Sequence, residues 1–163
     1  MSLRQVRPNG KVASLHRTRR VLKWSLGILA VAVVAIQFVP VARTNPPVTG
    51  EIPAPAEARA VLRESCYDCH SHETVWPWYS RVAPFSWLVA KDVREAREEM
   101  NFSTWAVLAP REQQKYLHEI LEEVQEGAMP PRLYLLPHPK ARLTDGDRAV
   151  LRAWTQAAGV PGE

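Results

Sequence analysis

From Trp24 to Ala42 the chain carries no charged residue, and Leu26 to Ile36 is apolar on every face a helix could present. That length is close to the roughly 20 residues needed to cross a bilayer, so a transmembrane anchor is predicted over residues 24–42. A buried core helix is the competing reading. It fits poorly between a strongly basic segment, 1–23, and a proline-rich one. A cleaved signal peptide shares the same basic start and apolar middle. However, a cut after Ala42 would put Pro40 where a small residue is wanted, so a retained anchor is expected.

Beyond the anchor, the pattern changes character at each segment. Residues 43–55 hold Pro46, Pro47, Pro53 and Pro55 around Gly50, which predicts a semi-extended linker rather than packed structure. It would hold the following domain off the membrane. From Ala56 the period is helical, with Ala58, Val61, Leu62, Ser65 and Cys69 on one side. His72 to Pro84 loses that period and is dense in Trp and Pro, so an ordered loop is predicted there. Pro84 to Met100 then places Phe85, Leu88, Val89, Val93, Ala96 and Met100 on one stripe, with Lys91, Arg94, Glu95 and Glu98 turned to water. Pro110 suits the first turn of another helix, in which Tyr116, Leu117, Ile120, Leu121 and Val124 face inward and Gly127 marks the stop. Thr144 and Asp147 resemble a capping box opening a last helix with Val150, Leu151 and Trp154 inward. No strand pattern and no internal repeat is found, so the fold class is all-α, with the folded domain over 56–158.

Charge sharpens the division. Residues 1–42 carry seven basic side chains and no acid, leaving fourteen basic against seventeen acidic residues from Arg43 onward. A nucleic-acid-binding protein carries its basic residues on the folded face that meets phosphate, and here the folded part would repel it. No nucleic-acid partner is therefore expected. The basic flank should remain in the cytoplasm, which orients a single-pass protein of the inner membrane with its domain on the periplasmic side. The pair Arg19-Arg20 resembles a twin-arginine export signal, but that route carries already folded proteins. These arginines are read as topology determinants.

The two cysteines of the chain stand in Cys66-Tyr67-Asp68-Cys69-His70. Two thiols three positions apart, followed at once by histidine, form the attachment pattern of a c-type haem. The thiols would add to the porphyrin vinyl groups as thioethers, and His70 would lie beneath the iron as proximal ligand. A thioredoxin-like dithiol would want a βαβ context. A zinc site would need two more ligands, drawn from His70, His72, His118 and His138. One covalent haem c per chain is the expectation. Met129 is the expected distal ligand, since Pro130 and Pro131 fix the backbone behind it; Met100 lies on an apolar helical stripe and reads as core filler. His138, between Pro137 and Pro139, is the alternative. The second ring nitrogen of His70 is expected to donate to a carbonyl of the 76–84 loop, Pro77 or Pro84. Short helices around a haem suggest a cytochrome c-like arrangement in which the first and last helices cross.

Several stretches together resemble the bacterial membrane-anchored haem-binding domain family, cytochrome c-like with a single attachment motif. They are Cys66 to Ser71, Trp76 to Arg81, Asn101-Phe102-Ser103, Gly127 to Pro131 and His138-Pro139, within residues 43–157. The resemblance implies haem binding and suggests electron transfer. It supplies no physiological partner. His72 stands where asparagine is expected in many relatives, and no ligand role is assigned to it. Two function classes follow: a one-electron carrier with both axial positions filled, working with an unidentified redox partner protein, and a haem sensor or small oxidoreductase with an openable sixth position. The carrier is favoured over an enzyme, and no catalytic residue is assigned.

Overall fold

A computed structural model describes residues 10–160, with side chains from Leu15 onward. Among these residues every regular element is helical, apart from one isolated parallel bridge between Gly50 and Thr104. Helix α1, Gly10–Ala35, runs on as a 3-10 turn, Ile36–Phe38. The stretch Leu15–Phe38 has a mean hydropathy of 2.0 and no burial within the protein, and is long and apolar enough to cross a membrane. The helix stops short of Ala42. Proline has no amide to continue a helix and forces its predecessor extended, and Val39, just before Pro40, takes φ −71° and ψ 117°.

The proline-rich segment departs most from expectation. Residues 43–55 are extended, as their composition predicts, but they are packed. Thr49 and Gly50 donate their amides to the Ser103 carbonyl at 3.0 and 3.1 Å, Ile52 donates to Phe102 at 2.9 Å, and Trp105 donates back to Gly50 at 2.8 Å. Ile52 is fully buried in the core. Prolines remove donors, yet the amides of Thr49, Gly50 and Ile52 find carbonyls of the 102–105 loop. Gly50 is needed where the two segments meet at the isolated bridge with Thr104. A β-carbon there would collide with the Ala106 methyl and come within 3.0 Å of its amide nitrogen.

The domain proper contains α2 (Ala56–Ser65), α3 (Tyr67–His70), α4 (Phe85–Glu99), α5 (Pro110–Glu126), α6 (Arg132–Leu135) and α7 (Asp145–Ala157). Helix α7 packs against both α2 and α5, burying Leu62, Leu117, Leu121, Leu151 and Trp154 in one cluster with Phe102 and Trp105. The capping box forms: Thr144 accepts from the Asp147 amide at 3.2 Å, and the Asp147 carboxylate receives the Thr144 amide at 2.8 Å. Gly127 closes α5 in the left-handed region at φ 70°. Helix α4 differs from its expected stripe. Val93 and Met100 are buried, but Phe85 and Leu88 are 57% and 48% exposed.

Candidate functional site

Leu62 ends its turn of α2 by accepting the Cys66 amide at 2.8 Å, and the Cys66 carbonyl then accepts from Cys69 at 3.2 Å and His70 at 2.9 Å. This single turn places Cys69 and His70 on the short helix α3 and Cys66 at its N-cap, immediately after a helix fixed in the core. Ser71 locks the exit, its hydroxyl donating to the Tyr67 carbonyl at 2.7 Å and accepting from the Glu73 amide at 2.9 Å.

The His70 ring is oriented from behind. Its Nδ1 lies 3.1 Å from the Met100 carbonyl, so Nδ1 carries the proton and donates, and Nε2 keeps its lone pair. Burial holds the imidazole below its usual range, against the opposing pull of that carbonyl. A neutral imidazole with one nitrogen anchored is the ligating form. The acceptor is a backbone carbonyl, as expected, but it is that of Met100 rather than Pro77 or Pro84. Met100 leaves α4 in an extended conformation, which turns its carbonyl out of the helical ladder and toward His70. The Phe102 ring lies 5.7 Å from the imidazole, and the Phe102 amide donates to the His70 carbonyl at 2.8 Å.

The thiols are half-buried. Burial pushes Cys66 up to about 12, with Cys69 adding to the effect. Burial, together with the charges of Asp68 and Asp92, pushes Cys69 up to about 11. A redox dithiol works through a thiolate of lowered pKa, and this environment does the reverse. Among the described residues no group of three or more His, Cys, Asp or Glu side chains could hold a metal ion, so the zinc alternative lacks its ligand set.

The region after α5 is fastened to the motif through contacts that the sequence pattern did not reveal. The Tyr134 hydroxyl donates to Asp68 Oδ2 at 2.9 Å. His138 stacks on the Tyr134 ring with centroids 4.2 Å apart, and its Nδ1 donates to the Tyr134 carbonyl at 3.0 Å. That fixes Nε2 as acceptor, and the Tyr79 hydroxyl lies 3.4 Å from it. Asp68, inside the attachment motif, and Tyr79, in the tryptophan-rich loop, therefore both hold the 132–138 segment. Tyr134 and Tyr79 are both raised above the ordinary phenol range by burial, with Asp68 adding to each. The signal for Tyr134 was its place on α6, a turn too short to show a period.

The expected distal residues stand in contrast. Met100 is buried in the core, which agrees with its reading as filler. Met129 is 36% exposed on the turn after α5, where its amide is tied to the Glu123 carbonyl at 3.2 Å. Its thioether is not used by the core. His138 has both ring nitrogens engaged. His72 has a structural part: Nδ1 donates to the Pro47 carbonyl at 2.9 Å, and Nε2 accepts from Asn101 at 2.8 Å.

An apolar macrocycle fits these surroundings. Val75 and Trp78, just beyond the motif, and Leu133 and Leu136, on the segment held by Asp68, are each about three-quarters exposed. Apolar side chains are left open on both segments that adjoin the thiols, and the donor set is two sulfurs and one free imidazole nitrogen. No curated protein and no solved structure matches the chain. A family model described as haem-binding domain matches residues 31–157, from the last turns of α1 through the end of α7, and with that span of match the chain belongs to the haem-binding domain family.

Proposed function

We propose that this haem-binding protein is a membrane-anchored monohaem c-type cytochrome that carries single electrons on the periplasmic side of the inner membrane. Cys66 and Cys69 would hold the porphyrin as thioethers, and His70, through Nε2, and Met129 would ligate the iron. The bound haem supplies a one-electron couple. The chain's own residues orient it, exclude water and set its ligands. The observation that carries the reading is the His70 ring, with Nδ1 committed to the Met100 carbonyl and Nε2 left free on the same turn as two otherwise unpartnered thiols.

The electron-carrier reading is preferred to a sensor or oxidoreductase because the 132–138 segment is fastened to the motif by Tyr134 and to the tryptophan-rich loop by His138, which favours a fixed ligand set over an openable one. Helix α1 supports single-pass anchoring, and its basic N-terminal flank supports a cytoplasmic N-terminus. An unidentified redox protein is the expected partner.

Attachment is tested on denaturing gels stained for haem peroxidase activity. Wild-type chain is expected to keep a stained band, and the Cys66→Ala, Cys69→Ala double variant to lose it. Haem that leaves the wild type in acid acetone would overturn covalent attachment while leaving haem binding intact.

A further inference from the structure

The junction between α1 and the domain is not a free tether. Gln37, one residue from the end of the apolar stretch, clasps the backbone of one residue of the domain: its Nε2 donates to the Ala83 carbonyl at 3.3 Å, and its Oε1 accepts from the Ala83 amide at 2.9 Å. The residues that follow are fastened in turn. Arg43 donates to the Ser80 carbonyl at 3.0 Å, Arg97 reaches the Thr44 carbonyl at 2.8 Å and Asn45 Oδ1 at 3.1 Å, and Asn45 donates to the Thr74 carbonyl at 2.9 Å. No slack remains between the span and the domain.

The clasp sets a depth. The hydrocarbon core ends where the apolar stretch ends, and each interfacial layer beyond it is about 5–7 Å thick. A loop hydrogen-bonded to Gln37 therefore lies within that layer. The side chains around it are apolar and open. Val82 and Phe85 flank the Ala83–Pro84 pair and are 41% and 57% exposed, and Phe38, beside Gln37, is 81% exposed. Trp87 lines a groove with Pro40, Val41 and Ala42, the first residues beyond the span, and Lys91 and Arg94 line the same groove. Aromatic rings with basic neighbours at this depth are the composition of a membrane-interface contact.

We propose that the domain rests on the bilayer through Val82, Phe85 and Trp87, with lipid as the partner that covers this face. The exposure of Phe85 on the first turn of α4 is then accounted for, since lipid covers it. The inference relies on the reading of α1 as a retained span, and the test separates the two.

The full-length holoprotein, carrying p-benzoylphenylalanine at position 85 or at position 82, is reconstituted into phosphatidylethanolamine–phosphatidylglycerol vesicles and irradiated. Adducts are identified by mass spectrometry, with position 29 as the reference within the span and an unchanged haem spectrum as the check on folding. Lipid adducts at 85 and 82 as well as at 29 are expected, with yields at 85 and 82 falling severalfold in Gln37→Ala and the yield at 29 unchanged. Adducts at 29 but none at 85 or 82 would overturn the docking and leave the span standing. Adducts to the porphyrin at 85 would overturn it by giving that face to the haem. No lipid adduct at 29 would overturn the span and the docking together. Yields at 85 and 82 that Gln37→Ala does not change would overturn the role given to the clasp.

Discussion

At the scale of single residues, the proposal of Met129 as distal ligand rests on what each candidate is already doing. Met100 fills the core and lends its carbonyl to His70, and His138 spends both ring nitrogens on Tyr134 and Tyr79. Among the described residues Met129 is the methionine outside the core, on the turn between α5 and the 132–138 segment that Tyr134 ties to Asp68. Thioether ligation raises a haem's reduction potential, and a second imidazole lowers it. Met129→Ala is accordingly expected to abolish the weak red absorption band of methionine-ligated ferric haem and to admit carbon monoxide to the reduced protein, whereas His138→Ala keeps the band. A band that survives Met129→Ala would transfer the role to His138. Gly50 is decided by space instead. Gly50→Ala drives a methyl group into Ala106 and is expected to cost about 1–3 kcal/mol, read as a lowered denaturant midpoint.

At the scale of elements, the caps make a prediction with a definite sign. Hydrogen bonds from the Thr144 hydroxyl and amide hold the Asp147 carboxyl below its ordinary value of 3.8. The stabilisation this gives α7 is therefore complete above that value and is lost as the pH falls through the lower, folded-state one. Thr144→Ala is expected to cost about 1 kcal/mol at neutral pH, and the gap to wild type in thermal unfolding should narrow as the pH falls into that range. A gap constant with pH would mean that the charge of Asp147 plays no part. Helices α5 and α7 were legible in the sequence because each buries one clean stripe against its neighbours, and the attachment turn was legible because its chemistry is local in the chain. The strap over 43–55 was not. Its partners are backbone groups of Phe102, Ser103 and Trp105, some fifty residues away, and proline-rich composition reports conformation without reporting contacts. The Met100 carbonyl was hidden for the same reason, since any residue type carries one. Helix α4 misled in the opposite direction: its stripe is real, but Phe85 and Leu88 on it are left about half exposed.

At the scale of the whole molecule, charge and structure divide the chain at the same place. Seven basic residues precede the apolar stretch and none of the seventeen acidic residues does, which supports the proposed topology with the N-terminus in the cytoplasm and everything from Arg43 onward outside. The folded side is also where thioether attachment would take place, which ties the orientation to the chemistry of Cys66 and Cys69. The two can be read together. Protease added to intact spheroplasts is expected to remove the haem-stained domain and leave a short membrane-embedded fragment, while inverted vesicles protect the domain. Protection in spheroplasts with digestion in inverted vesicles would reverse the topology, and a haem-stained band in that orientation would detach the covalent chemistry from the periplasmic side as well.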